Sequence, residues 1–179
     1  MSNLYDAHIV NERVEFKIYS CKKHLVNLRR IKYTYEHSHK SKHEACRARI
    51  NLEIEIDCLI SQMVSVIDCL LVQISNKLGL NIPLHQISID RVVSELYSKT
   101  KKIDLLTELN MAREHGRWYW SVIELRNRSL VEPFNVDAHN PDLISLLEVC
   151  FNQITALVEN IKGKEPLEWD KKSERYTIF

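Results

Sequence analysis

Glycine and proline are scarce in this chain, three of the first and four of the second in 179 residues. Sandwiches and barrels built from many short strands need both at their turns, so the scarcity argues for few, long elements. No run of about 20 apolar residues is free of charge, and no apolar leader opens the sequence, so neither a membrane span nor a secretory segment is expected. The five cysteines, Cys21, Cys46, Cys58, Cys69 and Cys150, include no CxxC pair and are odd in number. That argues against a disulfide framework and against the usual zinc spacing, and it points to reduced thiols in a cytoplasmic protein. A glycine-rich phosphate loop is also missing, as is any Ser/His/Asp arrangement with the right local context, and no cofactor or metal is expected.

Hydrophobic residues make up 45% of the chain and charged residues 27%, the balance of an ordinary globular domain. The formal net charge of +1 conceals an asymmetry. Between Lys17 and Arg49 ten Lys/Arg stand against two acids, Glu36 and Glu44, for a local charge of +8. One end of the molecule is therefore basic, which suits a polyanionic partner. Arg29, Arg30, Lys40, Lys42 and Arg47 are the candidate phosphate contacts in that segment.

Apolar spacing predicts an all-α protein: an antiparallel bundle of about five helices, two of them long, forming one domain over residues 1–164 with a charged tail over 165–179. The first helix spans about Tyr5 to Glu36, with Val14, Ile18, Cys21, Leu25, Leu28 and Tyr35 as its stripe. Ser41 and Glu44 form a capping-box pattern that opens the second helix, Lys42 to about Leu78. His39, His43 and Arg47 share one face there. Two histidines at that spacing can hold a metal, but without a third ligand they read better as part of a basic patch. Apolar residues cover more than half the girth of the second helix from Ile56 to Ile74, so other helices should surround it. Asp68 lies within that apolar half, either paired with a basic neighbour, at an interface, or as a functional carboxylate.

Gly79 signals the end of the second helix. A short third helix follows Ser88 and runs through Val92, Val93, Leu96 and Tyr97. A fourth segment covers about Asp104 to Val131, with Gly116 as a break or kink. Asn140-Pro141 opens the last helix, which continues to Lys162 on Leu143, Leu146, Leu147, Cys150, Ile154, Leu157 and Ile161.

The chemistry-bearing stretch is Arg117–Pro133, RWYWSVIELRNRSLVEP. Three aromatics, Trp118, Tyr119 and Trp120, fit a helix core better than a base-stacking platform. Two arginines and an asparagine then occupy the last two turns before a proline stop. Guanidinium forks suit phosphate, although cations at a helix C-terminus are also favoured by the helix dipole.

Glu124-Leu125-Arg126-Asn127-Arg128-Ser129-Leu130 resembles the motif helix of the HEPN superfamily. The order of elements resembles it too: a long apolar helix, a short insert after Leu78-Gly79-Leu80, an aromatic-rich helix, then a last helix. The resemblance covers most of residues 42–162. It implies a small all-α protein, often a homodimer, related to metal-independent endoribonucleases of defence, toxin–antitoxin and RNA-processing systems. RNA is then the implied partner, with a cognate antitoxin or defence-system protein as a second one.

Carried over residue by residue, the resemblance makes Arg126 a phosphate ligand and Asn127 its polar orienter; Arg128 beside them is a candidate RNA-binding residue of the same face. The family's histidine falls at Val131, which has no titratable group. His115 lies eleven residues before Arg126, almost three whole turns, so both point the same way, and across a two-fold dimer with antiparallel helices it could face Arg126 of the other subunit. Two readings therefore stand beside the enzyme: a HEPN-like dimer that binds RNA without cutting it, and a helical adaptor whose basic end docks a partner protein.

Overall fold

The computed structural model describes residues 7–37, 41–99, 103–114, 117–134 and 141–162. They form six helices and a single 3-10 turn: α1 (Ala7–His37), α2 (Lys42–Lys77), the turn at Leu84–Gln86, α3 (Ile89–Lys99), α4 (Ile103–Arg113), α5 (Trp118–Ser129) and α6 (Pro141–Lys162). No strand is present among the described residues. The expected tail over 165–179 lies outside them.

α1 and α2 form the long antiparallel pair. On α1 the buried residues are Val14, Ile18, Cys21, Leu25 and Leu28, at alternating steps of four and three. On α2 the same alternation runs through Leu52, Ile56, Leu59, Met63 and Val66, all buried. That is the spacing of a coiled-coil seam, in which side chains of one helix fill gaps in the other. Polar pairs beside the seam hold its register. Lys17 Nζ donates to Gln62 Oε1 at 2.9 Å, Asn27 Nδ2 donates to Glu55 Oε1 at 3.1 Å, and His24 Nδ1 lies 2.6 Å from Glu55 Oε2.

The other buried side of α2, with Ile60, Ile67, Leu71 and Ile74, belongs to the same core as α3, α4, α5 and α6. Val92, Val93 and Leu96 of α3, Leu105 and Leu109 of α4, and Leu147, Ile154 and Val158 of α6 complete it. By length and composition α2 could cross a membrane, but most of its apolar stretch is buried against these helices.

Local signals set the ends of α2. The Ser41 side chain accepts from the Glu44 backbone N–H while Glu44 Oε2 accepts from the Ser41 N–H at 2.9 Å, the reciprocal box that its sequence predicts. At the far end the Gly79 N–H donates to the Asn76 carbonyl and the Leu80 N–H to the Ser75 carbonyl. Gly79 takes φ +59°, and buried Leu80 packs back on the core, which is a Schellman closure. Asn81 follows at φ 56°, turning the chain toward α3.

The fourth segment takes the first of the two outcomes that Gly116 suggested, a break. It is two helices, since α4 stops at Arg113 and α5 starts at Trp118, which gives six helices and not five. Gly116 itself lies outside the described residues. The junction is pinned by polar contacts: Trp120 Nε1 donates to the Arg113 carbonyl at 2.7 Å, and Arg117 pairs with Glu114 at 3.0 Å. Leu146 and Tyr97, placed on apolar stripes by spacing, are exposed, whereas Phe151 and Val158 are buried on α6.

Cys21 and Cys150 are buried, and burial pushes their thiols up to about 12 and about 11. Cys46 is exposed. In native buffer a disulfide-exchange reagent should therefore modify Cys46 first, with Cys21 and Cys150 reacting only on unfolding; peptide mapping after a short labelling pulse checks this.

Gln73 is 1% exposed within α2, and neither atom of its amide has a hydrogen-bond partner among the described residues. A buried orphan amide costs about 1–3 kcal/mol. Gln73→Met, close in size and apolar, should raise unfolding stability by about 1 kcal/mol in a urea titration.

Candidate functional site at the end of helix α5

α5 carries one apolar edge, Val122 and Leu125, into the core and turns its other faces outward. Trp118 and Tyr119 pack against the core, with their rings edge to face at a centroid distance of 6.2 Å. Trp120 does not follow them. It stands on the outer face, so one of the three aromatics expected in the core is exposed.

Arg126, Asn127 and Arg128 are all exposed in the last turn of α5. Among the described residues no side-chain hydrogen bond or ion pair holds any of the three. They do not share one face. Trp120, Ile123, Glu124, Asn127, Arg128 and Val131 recur at steps of three and four along an open groove of about 490 Å³. Arg126 is turned to the neighbouring side, toward α2, where its charge acts on Asp68 and Tyr119. The spacing could have shown this: 127 and 128 are three and four residues after 124, and 126 is seven after 119.

Asp68 feels the charge of Arg126 without forming an ion pair with it among the described residues. Partial burial pushes its carboxyl above the usual range, and the nearby Arg126 guanidinium pulls it back. Tyr119 is raised as well, first by burial, then by the charges of Asp68 and Asp90, against the pull of Arg126. A carboxylate, a phenol and a guanidinium therefore lie within electrostatic reach of one another where α5 packs on α2. Tyr119 is a site neighbour that sequence reasoning assigned only to the core.

His115 and Lys40 lie outside the described residues. The geometric case for His115 assumed one continuous helix from His115 to Arg126, and the break between Arg113 and Trp118 removes that alignment. Val131, at the motif histidine's position, is 79% exposed beyond the end of α5.

The remaining basic candidates sit elsewhere. Arg30, Lys42 and Arg47 are exposed at the free end of the α1–α2 hairpin. Arg47 borders a second groove with His43, Cys46 and Ile50. Arg29 is engaged by Glu148 of α6, Nε to Oε1 at 2.8 Å. Twenty-one residues of α2 separate Arg47 from Asp68, about 30 Å along the axis. The basic end and the α5 site are therefore two places. No group of three or more metal-ligating side chains gathers among the described residues.

Comparison of the chain with protein-family models, with curated proteins and with solved structures finds no match.

The raised carboxyl of Asp68 fixes the sign of a pH effect. Its proton is held more tightly in the folded chain than in the unfolded one, so its contribution to stability falls as pH rises from about 4 through its folded titration. Asp68→Asn should lose that dependence: urea midpoints of variant and parent should differ more in favour of the variant at pH 7 than at pH 3.5.

Proposed function

We propose that this protein is a HEPN-like RNA-binding protein of the cytoplasm, related to the metal-independent endoribonucleases of defence and toxin–antitoxin systems, and that it works as a homodimer. The observation that carries the reading is the trio Arg126, Asn127 and Arg128, exposed and uncommitted at the end of α5 beside an open groove. Two guanidinium groups within one turn offer forked donors to phosphodiester oxygens, and the C-terminal helix dipole favours keeping cations there.

Cleavage through the 2′-hydroxyl needs a base to take its proton and a cation to stabilise the charged phosphorane. Arg126 suits the second role. Val131 cannot perform the first, and Asp68, the acid that feels the charge of Arg126, has its carboxyl made less acidic first of all by burial. The reading is therefore one of binding without efficient cutting. Arg30, Lys42 and Arg47, at the far end of the hairpin, give a strand a second set of cations to follow.

The adaptor reading, in which the basic end docks a partner protein, has its own support in the groove of His43, Cys46, Arg47 and Ile50 at that end.

A gel shift with single-stranded RNA tests the proposal. Arg126→Ala and Arg128→Ala should each weaken binding about tenfold and make the slope of log K against log salt shallower by about 0.7. Unchanged affinity in the double variant would remove the α5 site. Incubation with total RNA in EDTA separates a binder, which leaves the RNA intact, from a metal-independent nuclease. Light scattering should give twice the 21.1 kDa chain mass.

A further inference from the structure

The seam of α1 is matched on the opposite side by a second apolar stripe, which is exposed among the described residues. Phe16, Tyr19, Val26 and Tyr33 lie 58–64% exposed, and Lys23 and Arg30 fill the intervening steps of three and four. Residues 16 and 33 are about 26 Å apart along the helix, close to five turns. Between Phe16 and Tyr35 there is no acid and there are six Lys/Arg. Lys17 and Arg29 are committed to Gln62 and Glu148. Lys23 lies 5.7 Å from the centroid of the Tyr19 ring, so the charge sits directly on the apolar line.

Regular apolar steps of three and four along one helix fit the ridges of another helix. Its chemistry follows from the charge. A second copy laid α1 on α1 would bring cations against cations in either direction, because this stretch has no acid to answer them. Nucleic acid would use the cations and stack on the aromatic rings, but it gains little from Val26 at the middle of the stripe. We propose that the outer face of α1 docks an amphipathic, acidic helix of a partner protein, with Phe16, Tyr19 and Val26 as its apolar anchors and Lys22, Lys23 and Arg30 as its charge complement. This surface is separate from the α5 site; it shares Arg30 with the cations offered to RNA, but its apolar anchors do not depend on the RNA reading.

The test uses the full chain and two labelled 21-residue peptides with leucine at heptad positions, one flanked by glutamate and the other by lysine. Fluorescence anisotropy should show binding of the glutamate peptide and at least tenfold weaker binding of the lysine peptide. Tyr19→Ser combined with Val26→Ser should weaken the acidic peptide about tenfold, the scale of losing two exposed anchors. Lys22→Glu combined with Lys23→Glu should reverse the peptide preference. Helical circular dichroism and melting temperature close to the parent's establish that these surface variants fold. Binding by neither peptide, equal binding by both, or insensitivity to the apolar pair would overturn the proposal. So would a gel shift in which Tyr19→Ser with Val26→Ser weakens RNA as much as peptide, since the face would then be a nucleic-acid surface. If Arg126→Ala abolishes RNA binding but leaves the peptide isotherm unchanged, the two surfaces are independent as stated.

Discussion

The packing of α1 along α2 is the constraint on which the remaining structure depends. α2 is apolar over so wide an arc that no single neighbour can cover it, and α1 takes one side as a continuous seam. The other side is left for the four shorter helices. A large-to-small change in the seam, at Leu28 or Ile56, removes contacts from both helices at once, with a typical cost of about 2–5 kcal/mol. Polar pairs such as Lys17–Gln62 and His24–Glu55 contribute little energy at a partly wet edge. Their effect is on register, because a slip along the seam would separate them.

That seam also decides where charge can go. The cations of α1 cannot enter it, so they are displaced to the flanks and outer face, and the cations at the start of α2 gather with them at the free end of the hairpin. The end of α5 crosses α2 about 30 Å away. A polyanion that used both places would have to run along the hairpin, whereas a protein partner could use either alone. The two surfaces differ in kind. The last turn of α5 is short, polar and forked, while the outer face of α1 is long, regular and apolar with cations set into it.

Much of this was legible in the residues. The capping box at Ser41 and Glu44, the closure at Gly79, the seam residues of α1 and the start of α6 at Pro141 are local signals, and the backbone obeys them. Other features were legible only in part or not at all. Gly116 signalled the break between α4 and α5, but Trp120 and Arg117 reaching back to the end of α4 are contacts that follow only once the turn exists. Trp120 looked like core because aromatic residues at helical spacing usually are. Its outward position is set by Val122 and Leu125, which take the inner edge of α5 and rotate Trp120 away. Asp68 could be seen as an acid in apolar company, but Arg126, whose charge reaches it, lies 58 positions later in the chain.

The sequence by itself determined the helical class, the ends of α2, the buried stripes and the basic bias of residues 17–49, because each rests on spacing or on neighbours within a few residues. Tertiary structure alone decided that the side of α5 carrying Arg126 is the one near Asp68 of α2, that Arg29 is spent on Glu148, and that Phe16, Tyr19 and Val26 of α1 stay exposed among the described residues. The physical reason is common to all three: which face of a helix is free depends on how many neighbours reach it, and that number is fixed by crossing helices far apart in the chain.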